Sequence, residues 1–199
     1  MVQSHRLRRK LRAGEPVTGA IVNVQAPWFI DLVGISGFDF VMLDAEHGPI
    51  TPENVELMIR AAEQAGMTAL VRVPANVPHV ILGFLDAGAQ AIQVPHIQTA
   101  DDARRAVSAV RYPPLGSRGM STMTRAARYG FGQTAAEYVE AANREIVFVP
   151  MIETTAGVEN IDSILDVEGI DVVFAGGVEP EAPLSHLLAK HAIGADHAG

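Results

Sequence analysis

Cysteine is absent from the 199 residues, which excludes disulfides, thiolate metal sites and a cysteine nucleophile. Lysine occurs only as Lys10 and Lys190. Neither falls in a segment that reads as a strand, so a Schiff base inside a pocket is excluded too. No apolar run approaches the roughly 20 residues of a membrane span, and no signal-like stretch follows the first residues. Basic charge is scarce. A formal net charge of −8 leaves no concentrated positive surface for nucleic acid. No G-x-G-x-x-G follows the first apolar run, and there is no G-x-S-x-G elbow, so the usual marks of dinucleotide binding and serine hydrolysis are missing. The expectation is a cytoplasmic globular protein that handles a small molecule, with no membrane or nucleic-acid partner.

What is present is a regular alternation. Near-continuous Val/Ile/Leu/Phe runs at 19–24, 38–44, 68–74, 89–97, 146–153 and 170–177 read as strands covered on both faces. Helical patterns at 26–37, 51–66, 77–87, 99–112, 134–145 and 154–169 separate or follow them. Thr51 and Thr99 stand as N-caps, Pro52 at a first helical position, and Gly66 and Gly88 just past helix ends. A glycine- and arginine-bearing loop at 113–132 interrupts the rhythm. The basic segment "HRLRRKLR" at 5–12 reads as a short amphipathic helix, with Leu7 and Leu11 one turn apart and its arginines in solvent. Six β/α units in tandem fit an α/β fold, either doubly wound or of the (β/α)8 TIM-barrel type. The barrel is favoured because Asp44, Glu46, His47, Arg72, His96 and Glu153 all fall at or beyond C-terminal strand ends, where barrels build active sites. Eight strands and about 250 residues are usual for such a barrel. Six strands are expected here, giving an incomplete barrel domain over 1–177 and a divergent tail over 178–199.

The strand "FDFVMLD" ends in "AEHGP". Histidine is the side chain suited to general base work near neutral pH, and His47 is the natural candidate, with Asp44 or Asp86 as candidates to orient its ring. Arg72 interrupts the apolar "ALVRVP". It needs a partner, either a strand-end carboxylate or an anionic ligand, because an unpaired buried guanidinium is costly. Glu153 either complements the start of the helix after it or serves as one of two carboxylates for a hard divalent ion. In the second case Glu179 is the first acid at the next strand mouth.

"FDFVMLDAEHGP", "VRVP", "LDAGAQAIQVPHIQTADDARRAV", "RYPPLGSRG" and "MIETTAGVENIDSILDVEGIDVVFAG" together resemble the HpcH/HpaI aldolase family, which is grouped with citrate lyase β subunits. The resemblance runs in register from the first strand to Gly176. It implies a (β/α)8 barrel, a homo-oligomer that is usually hexameric with helix exchange, and metal-dependent cleavage of 4-hydroxy-2-oxo acids to pyruvate and an aldehyde. By position it implies His47 as base, acting through a metal-activated water, and Asp86 as the acid that raises its basicity. It makes Arg72 the stabiliser of the enolate oxygen and Glu153 and Glu179 the ligands of Mg2+, Mn2+ or Co2+. Gly176 and Val178 would contact the pyruvate moiety. Glu179 stands where the family has aspartate, and Met151 where several members have a substrate-binding glutamine. Two other readings follow from the same residues: an inactive or partner-dependent fragment of the barrel, and a citrate-lyase-like enzyme acting on acyl-CoA thioesters.

Overall fold

A computed structural model describes residues 5–176. Six parallel strands, β1 (Gly19–Val22), β2 (Phe40–Asp44), β3 (Thr68–Arg72), β4 (Ala91–Val94), β5 (Val147–Ile152) and β6 (Phe174–Ala175), pair strictly in chain order. A doubly wound sheet reverses its order at a switch point; this one never does, so the sheet curls as a six-stranded half-barrel. The predicted barrel-type winding is present, with β1 and β6 each holding one sheet partner among the described residues.

Side chains alternate across this wall. Val41, Leu43, Val71, Ile92 and Phe148 face outward into the main core beneath the helices. Met42, Leu70, Ala91, Val147 and Val149 face inward and form a second cluster with Leu7. The outer layer comprises α2 (Pro27–Ile35), α3 (Pro52–Gln64), α4 (Pro78–Asp86), α5 (Ala100–Val110) and α6 (Ala135–Glu145), followed by α7 (Thr155–Glu159) and α8 (Ile161–Leu165). Reciprocal capping boxes start α3, α5 and α6, pairing Thr51 with Asn54, Thr99 with Asp102 and Thr134 with Glu137. Each satisfies two backbone donors that a helix start leaves without partners. No described helix is long and apolar enough to cross a membrane.

Three expectations need correction. The single helix expected over 154–169 is two short ones, because Asn160 turns out of the helix and its amide donates to the Gln98 carbonyl at 3.0 Å. The sixth strand has only two ladder residues. Upstream of them, the Asp171 side chain accepts from the Phe148 N–H at 2.9 Å and takes over a ladder position. Finally, α1 (Arg6–Arg12) does not keep all its arginines in solvent. Arg8 is buried, bonded to Asp171 and to the carbonyls of Arg144 and Ile146 at 2.8 and 3.0 Å. Leu7 enters the inner cluster beside it, so α1 closes the floor of the half-barrel.

His5, just before α1, is fixed in the same floor. Its Nε2 donates to the Glu145 carbonyl at 3.0 Å, and its Nδ1 lies 3.1 Å from the Thr68 hydroxyl. Burial lowers its pKa from 6.5 to about 4, despite the carbonyl bond that pulls the other way. Between those values the unfolded chain takes up a proton that the folded chain refuses. The contribution is therefore complete above pH 6.5 and fades as pH falls toward 4, reaching a loss of about 2 kcal/mol by pH 5. Urea unfolding at pH 7 and pH 5 should show a drop in stability that His5→Gln reduces by about that amount; equal drops in both proteins would refute it.

Candidate active site

Asp44 ends β2 and Arg72 ends β3, directly opposite each other in the register. Arg72 donates through Nε to Asp44 Oδ1 at 2.9 Å and through Nη2 to Oδ2 at 2.5 Å, a two-pronged pair. Both side chains are nearly buried, which answers why an arginine interrupts an apolar strand. Asp44 Oδ1 also accepts the backbone N–H groups of Glu46 and His47, each at 3.1 Å. Burial alone would raise the Asp44 carboxyl. The Arg72 guanidinium and the two N–H donors outweigh it and hold the group below the usual carboxylate range. Asp44 is thus an ionised anchor that fixes the arginine and the turn bearing His47. That turn is tight. A Cβ on Gly48 would sit 2.4 Å from the Asp44 carbonyl oxygen, so glycine is required there.

The sequence offered Asp44 and Asp86 as partners for the His47 ring, and in this chain neither holds it. Asp44 engages the His47 backbone. The ring is 67% exposed, with Nε2 3.7 Å from Glu46 Oε2, beyond hydrogen-bond reach. Asp86 is the last residue of α4, which runs back against the strands, so it lies at the opposite end of the wall. There its carboxylate takes a 2.8 Å bond from Arg118 Nη2, a fully buried arginine stacked 4.4 Å over the Tyr112 ring.

Two residues that the sequence reading had placed on the rim without a role now join the site. Glu46 is nearly buried, its Oε2 3.4 Å from Arg72 Nε and its Oε1 3.3 Å from His96 Nε2. His96 takes the left-handed backbone, φ 57°, just beyond β4. Its N–H donates to Glu153 Oε1 at 2.8 Å, and its Nδ1 lies 3.0 Å from the same oxygen. One imidazole therefore spans the carboxylates of Glu46 and Glu153. Gln93, opposite Arg72 in the register, is fully buried with both amide atoms unpartnered. The reasoning that singled out Arg72, a polar side chain inside an apolar strand, applies equally to Gln93 and would have found it.

Arg72 Nη1 is directed into the barrel, 3.9 Å from Met151 Sδ. Gly176 is buried beside it; a Cβ there would meet the Phe174 ring at 2.3 Å and Met151 Cε at 2.9 Å, so the position has room only for glycine. Val178 and Glu179 lie outside the described residues. Among the described residues no three potential ligands cluster around a common point. Glu153 nevertheless presents a hard oxygen donor, little exposed, at a strand mouth. That chemistry suits Mg2+ or Mn2+, which keep several waters and take few carboxylates.

The sequence from residue 18 to residue 190 matches the family model for HpcH/HpaI aldolase/citrate lyase, and the chain belongs to that family. It is 37% identical over 182 residues to the hydroxypyruvate/pyruvate aldolase of Sagittula stellata, covering 92% of this chain and 71% of that protein. Among solved structures, a HpcH/HpaI aldolase/citrate lyase family protein from Burkholderia cenocepacia superposes with a TM-score of 0.85 at 28% identity, covering 94% of this chain and 79% of that one. The citrate synthase SbnG superposes at 0.75 with 34% identity, over 84% of this chain and 64% of the other, less than two thirds of its length. The aldolase-named relatives place the chain among carbon–carbon lyases.

Replacing Asp44 with alanine strands the Arg72 charge and two backbone donors. The expected loss is about 3–5 kcal/mol in urea unfolding. Asp44→Ala combined with Arg72→Met removes both charges of the pair and should recover part of it. No recovery in the double variant would show that the pair is not the source of the loss.

Proposed function

We propose that the chain is an aldolase cleaving 4-hydroxy-2-oxo acids to pyruvate and an aldehyde with a divalent metal ion. The observation that carries this reading is the double duty of Asp44, which fixes at one rim both an arginine with a donor to spare and the turn that presents a histidine. Glu153, with Glu179 expected beyond the described residues, would hold the ion. When bound, the ion supplies Lewis-acid polarisation of the 2-oxo group and neutralises the charge that develops on its oxygen.

The residues of this chain account for the remaining steps. His47, exposed at the rim and free to turn, takes the proton of the C4 hydroxyl. The O–H pair becomes the carbonyl of the departing aldehyde as the C3–C4 bond breaks. That bond's electrons move toward C2, placing negative charge on the 2-oxo oxygen. Arg72 Nη1 is the donor not committed to Asp44, and a fixed guanidinium stabilises such an oxyanion without reorganising. Protonation at C3 then yields pyruvate. Gly176, just past β6, would contact the pyruvate unit through its backbone. The family's name also covers citrate lyases, so a CoA thioester is the competing substrate class; the relatives named as aldolases favour the free oxo acid.

Pyruvate release from a 4-hydroxy-2-oxo acid, with Mn2+ and then with EDTA, tests this. Release should depend on the metal and should fall about 10²–10⁴-fold in His47→Ala. Arg72→Lys keeps the charge but loses the fork, so kcat should drop on the order of 10²-fold. Folded protein that releases no pyruvate with any of Mg2+, Mn2+ or Co2+ would refute the reading in favour of an inactive or partner-dependent form. Cleavage confined to CoA thioesters would refute the substrate class.

A further inference from the structure

His96 holds a conformation that glycine would adopt at no steric cost and that most other residues avoid. A left-handed φ outside glycine costs on the order of 1–3 kcal/mol and persists where surrounding contacts over-determine it. Here the contacts are visible. With φ at 57° just after Pro95, the His96 N–H is turned to the mouth of β5. The ring follows it. Both the N–H and Nδ1 engage Glu153 Oε1, at 2.8 and 3.0 Å, while Nε2 reaches Glu46 Oε1 at 3.3 Å. If the backbone turn were the only requirement, a glycine would supply it with less strain. The ring is 62% exposed and adds nothing to the core, so packing does not explain its presence.

We infer that His96 is a positioning residue: it clamps one oxygen of Glu153 through backbone and ring together, braced from behind by Glu46, and so fixes the orientation in which that carboxylate meets a divalent cation. The inference rests on Glu153 being a metal ligand, as proposed above. Groups that orient a ligating carboxylate typically contribute 10–100-fold to metal affinity. An unclamped glutamate would have to give up rotamer freedom on binding.

His96→Gly separates the two components. It keeps the N–H and the left-handed turn, relieves the strain and removes the ring. Calorimetric titration of the metal-free chain with Mn2+ alone should show binding at least about tenfold weaker in His96→Gly than in the wild type, with a melting temperature unchanged or higher. His96→Asn tolerates the same backbone and retains a short polar group, so it should fall between the two. It also decides the matter should the glycine variant fail to fold. Wild-type affinity in a folded His96→Gly, or in His96→Asn if that variant must serve, would overturn the role of His96 and leave the metal reading intact. A wild-type chain that binds no Mn2+ would overturn the metal reading itself, and this inference with it.

Discussion

The two-pronged bond between Asp44 and Arg72 is the contact on which the rest of the rim depends. Either charge alone at that depth would be strongly unfavourable, and together they are tolerable because the fork of the guanidinium matches the two carboxylate oxygens. Their pairing in register fixes β2 against β3 at their C-terminal ends. Because Asp44 also receives the N–H groups of Glu46 and His47, the loop carrying both side chains takes its position from the same carboxylate. Stability and site geometry are one arrangement here. A change that loosened the pair would move the arginine, the histidine and the glutamate together.

A second layer of organisation spans β4 and β5. His96 and Glu153 come from adjacent strand mouths, and Glu46 meets His96 from across the barrel. The rim therefore reads as a continuous polar chain: Asp44, Arg72, Glu46, His96, Glu153. Low local dielectric strengthens the links among the nearly buried Asp44, Arg72 and Glu46 and penalises any break there, whereas the links of the exposed His96 are screened by solvent. In this chain the His47 imidazole stands apart from the series, anchored by its backbone while its ring remains in solvent. An exposed ring keeps its rotamer freedom, whereas the paired groups give theirs up.

Much of this was legible in the sequence, for reasons that can be named. The strands announced themselves because a parallel sheet covered on both faces demands continuous apolar runs, and the helix starts because Thr51, Thr99 and Thr134 complete local capping boxes. Both signals are local. What escaped was set by distant partners. Nothing near Asn160 reveals that its amide would find the Gln98 carbonyl and break a helix, and nothing near Arg8 reveals Asp171 across the floor. Asp86 was offered with Asp44 as an acid beside His47; within this chain the direction of α4 carries it to the other end of the wall, where Arg118 holds it. His96 was visible as a rim residue, but its left-handed backbone, from which its contacts follow, is a property of the turn after Pro95 and has no signature in residue type alone.

The position of the site within the sheet decides how far its geometry depends on the ends of the wall. Asp44, Arg72, His96 and Glu153 issue from β2, β3, β4 and β5, each hydrogen-bonded on both sides. Edge strands are the parts of a sheet most open to slippage and to alternative pairing, and among the described residues the edges are β1 and β6. The rim constellation thus rests on the four strands whose register is set twice over, with the floor beneath closed by α1. Gly176 is the exception, at the end of β6, tied to the sheet through its N–H to the Ile152 carbonyl at 3.2 Å. Gly176 therefore lies nearest an edge of the described sheet, while Asp44, Arg72, His96 and Glu153 issue from its interior. The rim is in this way held under unequal constraint: register is set from both sides along β2 to β5 and, among the described residues, from one side at β6.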